Sequence, residues 1–376
     1  MTPLLGAISL HQTGGGIAVV SDLLWRVLQE GWPGRAELVT TFDNDVHPAT
    51  FAEKARFALR VASAQIAGRT DWVLFAHLGL AQIQRHIPPG LRVPYGVFLH
   101  GIEAWQPLSA GEQRALAGAA LRVANSQYTA ERVMAIHPAI GRVEACPLAL
   151  PPGVERRNDG PVDAFVEQIG DHAVLMVGRL LRSEQYKGHD QLIAAWPAVL
   201  ARVPDARLVI AGHGDDAERL KERARAHGVA DRTHFLGFVS QSTLSALYER
   251  SALFALPSKG EGFGLVYLEA MRHRLPCIGS VHDAAAEVIE NGVTGHLVAQ
   301  DDIAGMAETI AALLLNEPKR RMMGAAGHAR ATSTFGFDRF QSRLRTLLAA
   351  ADRQPVDRGV SHRLETRVEE SVDGGR

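Results

Sequence analysis

Cysteine is nearly absent from this chain, with only Cys146 and Cys277 among 376 residues. The two are far apart and lack any C-x-x-C or His-rich company, which argues against a disulfide framework or a zinc site built on cysteine. An excess of charge of one sign is missing too. Forty basic residues against 41 acidic ones leave a net charge of -1, so a nucleic-acid binder held by phosphate neutralisation is not expected. No apolar run approaches the roughly 20 residues a membrane-spanning helix needs. The first residues lack the basic segment of a secretion signal, and a cytoplasmic location is expected. Two nucleotide fingerprints are also absent: G-x-G-x-x-G fails at Val19, and no G-x-x-x-x-G-K-[ST] loop occurs.

What is present is an ordinary globular composition, 46% hydrophobic and 22% charged, in a length that suits two domains at roughly 150 residues each. Short apolar runs alternate with longer amphipathic stretches, the pattern of parallel sheets with crossover helices, so the expected class is α/β. The first half predicts strands at Leu4–Leu10, Leu38–Phe42, Trp72–Ala76, Val93–Leu99, Leu121–Asn125 and Val143–Pro147. Helical patterns at Ile17–Gln29, Pro48–Ala67, Ser109–Gly118 and Ser126–Ile136 lie between them. Pro151-Pro152-Gly153 and the polar stretch Glu155–Pro161 then read as a linker. The alternation restarts with strands at Ala173–Val177, Arg207–Ala211, Thr233–Leu236, Leu253–Leu256, Pro276–Gly279 and His296–Val298. The expected organisation is therefore one doubly wound domain over residues 1–153 and a second over 162–336. A helix at 337–351 is expected to pack back on the first domain, and 352–376, rich in charge, reads as a mobile tail.

Ligands of open α/β sheets sit beyond the carboxyl ends of the strands, where loops run into helix N-termini. Five such loops carry chemistry-bearing residues. Gly14-Gly15-Gly16 opens the first long helix, where bare backbone and free N–H groups suit an anion, although a plain flexible turn reads equally well. His77 and His100 each follow a strand, and a histidine there can donate a hydrogen bond or hold a proton near neutral pH. Arg179 and Lys187 share the loop after the second domain's first strand, a forked and a point cation suited to a diphosphate. The fifth loop, Pro257 to Leu265, has glycines at 260, 262 and 264 and places Glu261 in the loop and Glu269 in the following helix. Those carboxylates are roughly 8 Å or more apart at the helical rise, which suits the two ends of an extended ligand better than one paired carboxylate site. The pairs Asp215-Asp216 and Asp301-Asp302 read as helix openings, and no metal is expected.

Glu261 and Glu269 with seven residues between them, in KGEGFGLVYLEAM, resemble the E-x7-E motif of the retaining glycosyltransferases of family 4 (glycosyl transferases group 1), which have the GT-B fold. Similar stretches are VGRLLRSEQYKGHDQLI from Val177, AGHGDD from Ala211, FLGFVS from Phe235 and ENGVTGHLV from Glu290. The first domain adds the glycine loop, HGIE at His100 and ANSQYTAE at Ala124. The resemblance implies two Rossmann-like domains facing across a cleft, and transfer of a sugar with retained configuration from a nucleotide diphosphate sugar, GDP-mannose or a UDP-sugar, to an acceptor hydroxyl.

By similarity Arg179 and Lys187 hold the diphosphate, with Gly15 and Gly16 closing on it. Glu269 bonds the ribose, while Glu261 and the backbone of Phe263, Gly264 and Leu265 bind the donor sugar. The base lies near Gly212, Phe238 and Val239, and His100 orients the sugar or the acceptor. The sugar nucleotide is a co-substrate, no cofactor or metal is implied, and the acceptor is a carbohydrate or a lipid-linked molecule. A peripheral contact with the inner face of a membrane is compatible with this, but no basic amphipathic helix stands out to require it. The sequence departs from the family at the insertion Ser183–Tyr186 and at His11-Gln12-Thr13, where many relatives carry a proline-containing loop. A non-catalytic sugar-nucleotide-binding scaffold, an epimerase and a phosphorylase of the same architecture stay open as alternatives.

Overall fold

The computed structural model describes residues 1–10, 15–41, 49–153 and 160–353. Gly14, His11-Gln12-Thr13, the end of the second expected strand at Phe42, most of the expected linker and most of the expected tail lie outside these residues. Among the described residues the chain forms twelve strands in two six-stranded sheets.

The first sheet consists of β1 (Pro3–Ala7), β2 (Glu37–Thr40), β3 (Trp72–Phe75), β4 (Tyr95–Leu99), β5 (Leu121–Ala124) and β6 (Glu144–Ala145), in the order β2-β1-β3-β4-β5-β6. The second consists of β7 (Ala173–Val177), β8 (Arg207–Ala211), β9 (Thr233–Gly237), β10 (Leu253–Ala255), β11 (Cys277–Ser280) and β12 (Gly295–Val298), in the order β12-β11-β10-β7-β8-β9. Every strand pair is parallel. All twelve expected strands are therefore present. Their apolar runs are continuous rather than alternating because both faces are covered: Leu4, Val73, Phe75 and Val97 pack into one core with the helix residues Phe57 and Val61. The first strand stops at Ala7 instead of Leu10, because its neighbour ends at Thr40, the residue paired with Ala7.

The order of strands fixes where ligands can go. The direction of winding reverses between β1 and β3 in the first sheet, and between β7 and β10 in the second, and these switch points open crevices at the carboxyl ends of the strands. By its internal contacts the chain divides into two units. One comprises Met1–Ala124, Ala130–Cys146 and the chain from Gln341 on; the other comprises Asn125–Thr129 and Pro147–Phe340. The helix Phe337–Asp352 thus changes unit within its second turn, and its Gln341 donates to Glu30 of the first unit.

One helix differs from its expected character. Phe51–Ile66 starts at a capping box, in which Thr50 accepts from Glu53 N while the Glu53 carboxylate accepts from Thr50 N. Its inner face buries Phe57, Val61 and Ala64, but Phe51, Leu59 and Ile66 stand outward with 87%, 71% and 54% of their surface exposed. The inner face alone satisfies the sequence periodicity, which hides the second apolar stripe.

Candidate active site

The crevice beside β7 and β10 gathers the charged residues of the second unit. Val177 ends β7, and Gly178 N donates to Ala211 O at 3.0 Å while Leu180 N donates to His213 O at 2.9 Å, so the turn carrying Arg179 is pinned to the end of β8. The chain then passes through Arg182–Lys187 and enters the helix His189–Arg202 at Gly188, whose φ is +87°. Asp190 in that helix's first turn takes both guanidinium nitrogens of Arg219 at 2.7 Å. Asp216 stands at the N-cap position of the helix Ala217–Ala226, as expected, but its carboxylate holds Arg219 rather than a backbone N–H of the helix, and Asp215 accepts from Arg182 N at 2.9 Å. Asp302 does cap, accepting from Gly305 N at 2.9 Å.

Within this frame Lys187 Nζ lies 3.2 Å from Glu261 Oε1 and 3.7 Å from Glu184 Oε2, and Arg179 pairs with the other oxygen of Glu184. The loop after β10 meets the loop after β7 directly, since Lys259 N donates to Tyr186 O at 2.9 Å and Gln300 Nε2 bridges Tyr186 O and Pro257 O at 2.7 Å each. Two cations and two carboxylates therefore sit together with a formal charge of zero. Arg179 is exposed along most of its side chain, whereas Lys187 is half-buried and Glu184 is buried.

The glycine-rich loop is held from its other side by Asp283. The Glu261 N–H donates to Asp283 Oδ2 at 2.9 Å, Ala285 N donates to Oδ1 at 3.0 Å, and Ala284 N returns a bond to Glu261 O at 3.2 Å. Burial pushes the Asp283 carboxyl up to about 7, against the pull of those two backbone N–H groups and with help from the charge of Glu261. The Gly262 carbonyl accepts from Ser126 Oγ at 2.5 Å and from Thr129 Oγ1 at 3.0 Å, both in the Asn125–Thr129 segment of the same unit. Phe263 is buried with its ring edge-on to Phe335, centroids 5.5 Å apart, so only its backbone is offered to a ligand. Gly264 sits at φ +87°, and a Cβ there would fall 2.4 Å from the Tyr267 ring; the turn into the helix Leu265–Arg272 requires glycine.

Glu269, half-buried in that helix, accepts from the Tyr248 hydroxyl at 2.8 Å. Loss of solvation raises its carboxyl above the usual range, while the bond from Tyr248 and the charge of Arg272 oppose this. Tyr248 is buried and stacks on His273, with the rings 11° from parallel. At the β8–β9 end, a Cβ on Gly212 would lie 1.8 Å from Gly178 O, so the strand end approaches the turn before Arg179 as only glycine permits. Phe238 is 69% exposed and edge-on to the His213 ring at 5.8 Å, with Val239 half-buried beside it. An aromatic wall of this kind suits the flat face of a base.

In the first unit Gly15, at φ +73°, caps the helix Gly16–Gly31, and a Cβ on either glycine would meet none of the described residues within 4 Å. His100 follows β4. Its N–H donates to Glu103 Oε1 at 2.5 Å, its Nε2 lies 2.6 Å from Ala76 O, and its ring stacks on His77 with centroids 5.9 Å apart. His77 accepts from Gly79 N at 3.0 Å, and burial lowers its pKa while Glu103 opposes the shift. The fold therefore brings Arg179, Lys187 and Glu261 together on one crevice and puts Gly15, Gly16 and His100 on the other unit. Glu184, Asp283, Tyr248 and His213 are additions that sequence reasoning did not single out.

Residues 164–330, the greater part of the second unit, match the family described as glycosyl transferases group 1. The chain is 31% identical over 216 residues to the GDP-mannose-dependent alpha-(1-6)-phosphatidylinositol monomannoside mannosyltransferase of Mycobacterium tuberculosis H37Rv, covering 54% of this chain and 56% of that protein. It is 34% identical over 201 residues to the glycogen synthase of the same organism, covering 53% of this chain and 48% of that one. It thus spans about half the length of the curated relatives it matches. A crystal structure of Anabaena Alr3699/HepE in complex with UDP and glucose superposes with a TM-score of 0.73 at 19% identity, covering 93% of this chain and 99% of that one. That likeness shows the fold, GT-B.

Proposed function

We propose that the protein is a retaining glycosyltransferase that moves a sugar, from GDP-mannose or a UDP-sugar, to the hydroxyl of a carbohydrate or lipid-linked acceptor. The observation that carries this reading is the meeting of Lys187, Arg179 and Glu261 at the switch point of a sheet built like those that bind nucleotides. The curated relatives include a GDP-mannose-dependent enzyme, and the superposed structure was solved with UDP and glucose; these support the two donor classes proposed.

Arg179 forks onto the diphosphate and Lys187 adds a point charge, so the negative charge that builds on the leaving group meets cations already in place. Glu269, oriented by Tyr248, accepts from the ribose hydroxyls. Glu261 and the backbone N–H groups of Phe263, Gly264 and Leu265 bind the donor sugar, and the base lies along Gly212, Phe238 and Val239. A carboxylate paired with Lys187 at 3.2 Å is a weak nucleophile. This supports sugar binding by Glu261 and a front-face path assisted by the leaving phosphate. On this reading Gly15 and Gly16 contact the diphosphate, His100 orients the sugar, and no metal takes part.

Incubation with GDP-mannose, UDP-glucose and related donors, with and without acceptor, and measurement of nucleoside diphosphate release tests the proposal. Turnover of one donor class that is lost in Lys187→Ala is the expected result. Tight donor binding without release would identify a non-catalytic binder instead, and binding of neither class would remove the reading.

A further inference from the structure

The helix Phe51–Ile66 has two apolar faces where a surface helix needs only one. Leu59 and Ile66 are seven residues apart and Ala52 is seven before Leu59, so they share one outward stripe. Phe51 stands at its head. Arg56 and Arg60, both exposed, run along the border of that stripe, and Lys54 is exposed on its other side. Lys54, Arg56 and Arg60 form no ion pair with any described residue. From Phe51 to Arg69 there are four cations and one acid, in a chain whose overall charge is -1, and that acid, Glu53, is engaged by the helix cap.

We propose that this face docks on an anionic lipid bilayer, with Phe51, Leu59 and Ile66 entering the headgroup boundary while Arg56 and Arg60 hold lipid phosphates. An apolar stripe bordered by unpaired cations has the composition of a helix that lies in the plane of a membrane interface. The charge selects this occupant. A second copy of the chain docking on the same face by a twofold axis would set these cations against their own duplicates, whereas a bilayer with phosphatidylglycerol supplies the opposite charge.

The test is co-sedimentation of the full chain with vesicles of phosphatidylcholine alone and of phosphatidylcholine mixed with phosphatidylglycerol. No sugar nucleotide is added, so the result stands apart from the donor reading. Wild type should pellet only with the anionic vesicles and be released by salt. The double variant Arg56→Gln/Arg60→Gln should bind about 25-fold more weakly, at roughly fivefold for each cation. Leu59→Ser/Ile66→Ser should lose binding while keeping the wild-type melting temperature, since both side chains are exposed. Wild type remaining in the supernatant with anionic vesicles, or variants that bind as tightly as wild type, would overturn the proposal. So would a dimer, seen by sedimentation equilibrium, that Leu59→Ser/Ile66→Ser dissolves, because the face would then belong to a second copy.

Discussion

Replacing Glu184 by Gln removes one negative charge from between two cations while keeping the shape of the side chain and an oxygen that accepts from Arg179. Glu184 contacts Arg179 and lies 3.7 Å from Lys187, and with Glu261 it brings the cluster to zero formal charge. A diphosphate arriving at those cations meets the Glu184 carboxylate as well. At a separation of about 6 Å, one unit charge against another costs roughly 0.7 kcal/mol at the dielectric of water and about 2.8 kcal/mol at an effective value of ~20. The variant should therefore bind the nucleoside diphosphate product some 3- to 100-fold more tightly. Tighter product binding slows release, so kcat should fall along with KM wherever release limits turnover. Calorimetric titration of UDP and of GDP into wild type and variant reads this directly, and the gain should shrink as salt rises. An affinity equal to or below that of wild type would refute the reasoning and recast Glu184 as a brace that Arg179 needs.

Tyr248→Phe removes the hydroxyl that holds Glu269, and a hydrogen bond to a charged group is worth roughly 1.5–3 kcal/mol; donor KM should rise by one to two orders of magnitude with kcat little changed, and an effect confined to kcat would separate Glu269 from the ribose. Asp283 titrates at about 7 in the folded chain against an ordinary 3.8, so the fold holds the proton more tightly than the unfolded chain does. Its contribution to stability should fall as pH rises from about 4 through 7 and then level off. Asp283→Asn should lack that decline, and parallel melting-temperature profiles for the two proteins would count against it. His100→Ala should keep the donor affinity of wild type and lose most turnover, as read by titration beside a rate assay; full activity would remove His100 from the reaction.

Strand positions were legible because a parallel strand covered on both faces must be a short unbroken apolar run, as in Ala173–Val177, where expectation and structure coincide. Arg179, Lys187 and Glu261 were legible as strand-end residues on glycine-bearing loops. The partners that orient the site were not. Asp283 meets Glu261 across 22 residues and Tyr248 meets Glu269 across 21, and each pair depends on how two loops or helices pack, which no local pattern encodes. Glu184 was hidden for a different reason. It lies in the insertion between the two cations, which read only as a departure from the family pattern, although its side chain is buried between them.

The interleaved division of the chain has a consequence for its synthesis. The first unit takes in the chain from Gln341 on, and the second takes in Asn125–Thr129, whose hydroxyls bind the Gly262 carbonyl from 133 and 136 residues away. As the chain emerges from the ribosome, the first sheet can assemble early but must wait for nearly all of the remaining sequence before its last helix arrives. A cut at Pro151–Pro161 would likewise give two fragments that each lack a piece of themselves, one short of a helix and the other short of the hydroxyls that steady its glycine loop. Expression of either half alone should need the missing segment to be restored by circular permutation or by a graft.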